Sequence, residues 1–187
     1  MKHLRTLRVA GGVAALAALT AVGATGGAAA QAPAKADATV ISMERDGKKL
    51  FFNAPPTVEA GTTLKIKNKT NPRAVGPHTF SLVKPKFLPE GNKEIKACSR
   101  KLAAICGAVA FKWHRIDPET FEVTENPVVV GKDGWDKQGS LKQKGDSWIS
   151  DRKKQAFKRE VSAPAGKTLT FLCVVHAEMQ GQITVTE

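Results

Sequence analysis

The stretch Cys173-Val-Val-His176-Ala-Glu-Met179-Gln-Gly181 places a thiol, an imidazole and a thioether within seven residues. Three-residue steps let a loop curl around an ion and present successive side chains inward, while a cysteine that closes a strand has its sulfur held by the sheet. Thiolate and thioether are soft donors and imidazole is borderline, so a trigonal Cys-His-His set with a long Met bond suits copper rather than zinc or calcium. Methionine is also a poor zinc ligand. A second imidazole must come from elsewhere. Histidine is scarce: His3, His78, His114 and His176 complete the inventory. His78 follows Gly76-Pro77, where proline fixes the backbone, and opens the alternating run His78-Thr-Phe-Ser-Leu. His114, in Trp113-His114-Arg115, reads as an ordinary surface histidine beside a positive charge. The expected metal ligands are therefore His78, Cys173, His176 and Met179, around one copper ion.

Short strands must position these residues. Thr62 to Lys67 alternates, with Leu64 and Ile66 facing one way and lysines the other, and Thr79 to Val83 alternates through Phe80 and Leu82. Thr168 to Leu172 runs into Cys173, and Ile183 to Thr186 alternates again, so the last two strands flank the ligand loop. Pro55-Pro56, Glu59-Ala60-Gly61 and Ala163-Pro164-Ala165-Gly166 punctuate these runs as turns. Strands so spaced predict an all-β sandwich. The middle of the chain, about 84–160, is less regular and reads as an insertion. Within it Ile95, Cys98, Leu102 and Ile105 recur at helical spacing over Asn92 to Cys106, with Gly107 placed to stop a helix. The glycines at 131 and 134 lack the third glycine of a phosphate-binding fingerprint and read as turn residues.

With these residues in view, the sequence resembles the cupredoxins, the small blue copper proteins. Gly-Pro-His opening a strand resembles plastocyanin and amicyanin, and the Cys-x2-His-x2-Met spacing is that of amicyanin's short ligand loop. The resemblance covers about Thr39 to Val83 and Ser162 to Thr186. It implies a two-sheet Greek-key β-sandwich, a mononuclear type 1 copper held by His78, Cys173, His176 and Met179, and outer-sphere electron transfer to a redox partner protein. Two departures stand out. His78 and Cys173 are 95 residues apart, so the middle of the chain has no assigned counterpart. Thr79 also stands where the family often carries an Asn whose side chain ties the two ligand loops together, which bears on rigidity and potential rather than on ligation.

The N-terminus adds a compartment. Lys2, Arg5 and Arg8 precede an apolar run from Val9 to Ala24 and the small residues Gly26 to Ala30, the order of a secretory signal peptide. The run is too short and too rich in Ala and Gly for a retained anchor, since a spanning helix needs roughly 20 strongly apolar residues. Cleavage is expected after Ala30, with Ala32 and Ala36 as alternatives. The chain then divides into a signal peptide at 1–30, a spacer at 31–37 and one domain at 38–187. The 187-residue chain carries +12, and loss of Lys2, Arg5 and Arg8 with no acid takes it to +9. A basic surface suits an acidic partner or an anionic envelope polymer; a scattered, merely solvated surface is the alternative. Nucleic acid fits poorly, because the chain has few aromatics and no basic helix or recognised binding motif. Stable membrane insertion is not expected, and the protein is expected to be a monomer.

Three cysteines in an exported chain leave one over if two pair, and a metal thiolate explains Cys173 as the odd one. Cys98 and Cys106 would then form a disulfide. Eight residues of straight helix rise about 12 Å, beyond the roughly 7 Å a disulfide tolerates between Cα atoms, so helix and disulfide cannot both be whole. An oxidising compartment favours the disulfide, with a break near 99–102. An enzyme is not expected, because oxidases and nitrite reductases of this superfamily hold further copper with additional histidines and the mature chain has one to spare. A copper carrier or store is the rival reading, although such proteins favour Met-rich or His-rich clusters that this chain lacks. A copper-free interaction module is the third.

Overall fold

The computed structural model describes residues 38–120 and 129–187. The expected signal peptide and spacer lie outside the described residues. The strands, in chain order, are β1 (Thr39–Asp46), β2 (Lys49–Asn53), β3 (Thr57–Glu59), β4 (Thr63–Asn68), β5 (His78–Leu82), β6 (Val129–Val130), β7 (Ser147–Ser150), β8 (Ala156–Glu160), β9 (Thr168–Leu172) and β10 (Gln180–Thr186). They form a four-stranded sheet ordered β2-β1-β4-β8 and a six-stranded sheet ordered β3-β10-β9-β5-β7-β6. The chain crosses repeatedly between the sheets, giving the two-sheet β-sandwich expected from the sequence. β1 runs parallel to β4 and β3 parallel to β10, and the other pairs are antiparallel.

Side-chain alternation explains the sandwich. On β4 the buried residues are Leu64, Ile66 and Asn68, with lysines between them. Ile41 and Met43 of β1 and Phe80, Leu169, Phe171, Ile183 and Val185 of the facing sheet complete the core, all at most 1% exposed. Phe80 lies at its centre, with ring centroids 4.8 Å from Phe171 and 5.1 Å from Trp135. Burying one such ring contributes on the order of 2 to 3 kcal/mol.

Every residue of β5 is buried, on both faces of the strand. One face meets the sandwich core. The other lies under a second apolar cluster that joins Leu172, Val174 and Ala177 to Val83, Cys98, Ile105, Cys106, Val109 and Trp113. This cover comes from the expected insertion. It carries α2 (Gly91–Lys101), the short turn α3 (Ile105–Gly107) and a π-helical turn, Ala108–Trp113; another single turn, α1 (Pro72–Val75), precedes His78. The helix expected over Asn92 to Cys106 is thus broken. Leu102 ends α2 in the left-handed region at φ 47°, Ala104 follows at φ 51°, and Cys98 and Cys106 form a disulfide with Cα atoms 5.3 Å apart. Gly107 does not stop the helix as expected; a Cβ there would meet the Leu102 carbonyl oxygen, so it permits the close fold-back.

The stretch 84–160 is not uniformly irregular, because β7 and β8 are strands of the two sheets. β8 pairs with β4 from Thr63↔Glu160 to Lys67↔Ala156, and β7 pairs with β5 from His78↔Ser150 to Ser81↔Ser147. Their signal was weak for a physical reason. β7 (Ser-Trp-Ile-Ser) is buried on every residue and shows no polar face, and one of the two half-buried positions of β8 is the charged Arg159 beside Phe157. No helix among the described residues is long and apolar enough to cross a membrane.

Candidate metal centre

β5 begins at His78 and β9 ends just before Cys173, and the two strands run antiparallel with Ser81 opposite Leu172. Continuing that register sets Thr79 opposite Val174, so both expected ligands fall at the same end of one sheet. β10 returns at once, with Gln180 opposite Leu172. The loop 173–179 is therefore a tight connection, closed by Cys173 N–H to the Met179 carbonyl at 2.9 Å and Met179 N–H to the His176 carbonyl at 2.8 Å. On the His78 side, α1 is capped by Asn71, and Gly76 turns the chain at φ 84° while donating to the Pro72 carbonyl. A residue with a Cβ is strained there, which accounts for glycine ahead of Pro77.

The donor atoms of His78, Cys173 and His176 all lie within 4.8 Å of one another. Cys173 Sγ is 3.8 Å from His78 Nδ1 and 3.7 Å from His176 Nδ1. Donors about 120° apart on bonds of roughly 2.0 to 2.3 Å, the lengths imidazole and thiolate take to zinc, would sit about 3.7 Å from each other. His78 and Cys173 are fully buried and His176 is half-buried. Met179, at the end of the loop, is fully buried in the same apolar cluster as Cys173. The donor set fits one copper ion, with two imidazoles, one thiolate and a thioether in reserve.

Electrostatics suits that use. Burial, with His176 adding to it, pushes the His78 imidazole down to about 4. Burial also lowers His176, against a backbone hydrogen bond at Val75 that raises it. Both rings are thus neutral near pH 7 and keep a lone pair for a metal. Burial pushes the Cys173 thiol up, opposed by the backbone N–H groups of Thr79, His176 and Val175. A metal ion that binds such a sulfur displaces its proton, which is released to solvent.

Partners beyond the expected ligands hold the site. Thr70 Oγ1 donates to Asn68 Oδ1 at 2.7 Å and is 2.8 Å from His78 Nε2. The hydroxyl has one proton and gives it to Asn68, so His78 carries its own proton on Nε2 and turns a bare Nδ1 toward Cys173. Asn68 is anchored in turn by its Nδ2 donating to Ser150 Oγ at 2.9 Å. Thr79 N–H donates to Cys173 Sγ at 3.3 Å, and Thr79 Oγ1 accepts from Val174 N–H at 3.0 Å. Thr79 thus ties the two ligand segments with a hydroxyl. The insertion grips this end of the sheet as well: Ser99 Oγ of α2 accepts Ala177 N–H at 2.8 Å, and Gln180 Nε2 of β10 donates to the carbonyl of Pro89, ahead of α2, at 2.9 Å.

The structure thus brings His78, Cys173 and His176 together. His114 is not a surface residue as expected. It is fully buried, with Nε2 2.7 Å from Ser147 Oγ, because the cover over β5 encloses it. Asn68, Thr70, Ser99 and Gln180 carried no signal in the sequence, since polar residues at strand ends and on helices are ordinarily solvated.

No family model matches the chain, and no curated protein does. Among solved structures, the chain is similar to sodium-dithionite-reduced auracyanin from Roseiflexus castenholzii, at 21% identity and TM-score 0.40 over 80% of this chain and 98% of that one. Auracyanin B matches at 17% identity and TM-score 0.40 over 79% and 87% of the two chains. Auracyanin A, a "blue" copper protein of Chloroflexus aurantiacus, matches at 19% identity and TM-score 0.37 over 79% and 98%. The two sheets and the clustered His78, Cys173 and His176 donors agree with the β-sandwich and copper site expected from the sequence.

Proposed function

We propose that the protein is an exported single-electron carrier, with His78, Cys173 and His176 as the principal copper ligands and Met179 as a weaker axial one. Copper supplies a reversible one-electron couple when bound. The observation that carries the reading is the preorganised donor set: three donors within 4.8 Å, His78 and Cys173 buried and His176 half-buried, with hydrogen bonds from separate elements to His78, to Cys173 and to the Ala177 backbone next to His176. Electron transfer is fastest when the donors move little between oxidation states, and this chain immobilises them. Neutral imidazoles and a thiol awaiting a cation accept the ion without further rearrangement.

The partner reading follows from the surface beside His176. Pro77, Val174 and Val175 line a groove of about 620 Å³ together with Phe111 and Ile116 and the cations Arg100 and Lys101. Nearby chain is basic too, with Lys86, Lys93, Lys96 and Lys112 against Glu90 and Glu94. An acidic redox protein would be steered to this side and seated on its apolar floor. Export after cleavage at Ala30, to leave one domain at 38–187, is supported by the Cys98–Cys106 disulfide, a bond typical of oxidising compartments.

Voltammetry of the copper-loaded protein tests the reading. One reversible one-electron wave is expected, with the same wave after repeated cycling. Loss of copper on reduction would support a carrier or store instead.

A further inference from the structure

The outer face of β5 presents Thr79 and Ser81, and β7 sets Ser147 opposite Ser81. All three hydroxyls are at most 1% exposed, as is His114 above them. Hydroxyls buried this deeply must bond to one another or to the cover. They form one line: His114 Nε2 lies 2.7 Å from Ser147 Oγ, Ser147 Oγ 2.6 Å from Ser81 Oγ, and Ser81 Oγ donates to Thr79 Oγ1 at 3.1 Å. Thr79 Oγ1 in turn accepts Val174 N–H at 3.0 Å.

Proton counting gives the line a direction. Each serine hydroxyl has one proton. Ser81 spends its proton on Thr79, so Ser147 must supply the proton between Ser147 and Ser81. His114 Nε2 must then be the donor to Ser147. An acceptor at position 114 would draw the Ser147 proton away. Ser81 would then have to turn toward Ser147, and Thr79 would lose its second donor. We infer that His114 is a positioning residue for the metal centre, whose Nε2–H orients the Ser147-Ser81 relay and through it the Thr79 hydroxyl that ties the His78 and Cys173 segments. The inference rests on the proposed ligand reading only for the words "metal centre"; the tie itself is a property of the metal-free chain.

A double-mutant cycle on the metal-free protein tests it, reading hydrogen exchange at the Val174 amide against amides of the β1–β4 pair. His114→Phe removes the donor while keeping a ring, and Ser147→Ala interrupts the same line with little change of volume, so either serves if the other folds poorly. Each should speed exchange at Val174 by roughly fivefold relative to the reference amides, the weakening expected for one hydrogen bond. Ser81→Ala should do the same, and His114→Phe added to Ser81→Ala should bring no further increase. His114→Gln, whose amide N–H can face Ser147, should restore protection. Copper-loaded His114→Phe should keep its colour with a shifted reduction potential. An unchanged Val174 rate, a rise shared equally with the β1–β4 amides, or multiplicative effects of the two substitutions would overturn the relay. Failure of every variant and the parent to take up copper would overturn the ligand reading, while the exchange data would still decide the tie.

Discussion

Thr79 makes with one hydroxyl the tie that its position between two ligand segments demands, and its own N–H reaches the Cys173 sulfur. The same economy holds at Thr70, which fixes the tautomer of His78 through a single proton. Neither role was legible from residue type, because a threonine in a strand is ordinarily read as a β-former. The convergence of His78, Cys173 and His176 was legible, since a thiol, imidazole and thioether at three-residue steps have few other joint uses. At this scale the sharpest prediction concerns Met179. An axial thioether donates weakly, so Met179→Leu should leave a blue protein with a raised reduction potential. Met179→Gln supplies a harder oxygen that favours Cu(II) and should lower it. Voltammetry of the three proteins in one buffer should give the order Leu above Met above Gln. Loss of copper from Met179→Leu would make the thioether a full ligand.

Among the elements, strands with one wet face were the most readable: β4 shows its buried Leu64 and Ile66 between lysines. β5 was found through Phe80 and Leu82, yet its second buried face was not foreseen, because Thr79 and Ser81 look like a solvent side until His114 and the second cluster cover them. β7, buried throughout, gave no alternation to read. The helical stretch was read correctly as far as Lys101, and the incompatibility of disulfide and continuous helix placed its break within 99–102, where Leu102 ends α2. That bond closes a short loop against the ligand segment. Replacing Cys98 and Cys106 together by Ser should cost about 2 to 3 kcal/mol in urea unfolding by the chain-entropy estimate. An unchanged midpoint would mean that packing alone holds α2 in place.

For the molecule as a whole, the basic groove adjoins the candidate metal centre through Pro77, Val174 and Val175. Arg100 and Lys101 line the groove that Val174 and Val175 wall, so encounter with an acidic redox protein should slow as salt rises, because exposed charges are screened beyond about 8 Å at physiological ionic strength. Stopped-flow rates with an acidic acceptor should fall steadily with added salt, and Arg100→Glu with Lys101→Glu should flatten that dependence. Rates that ignore salt would assign docking to the apolar floor alone. All of this depends on a copper ion bonded to the Cys173 thiolate. The direct measurement is the visible absorption spectrum of the protein titrated with Cu(II), beside Cys173→Ser treated identically. An intense blue charge-transfer band that saturates at one copper per chain and is lost in Cys173→Ser is the predicted result. A protein that stays colourless at saturating copper, or a band that survives Cys173→Ser, would contradict it.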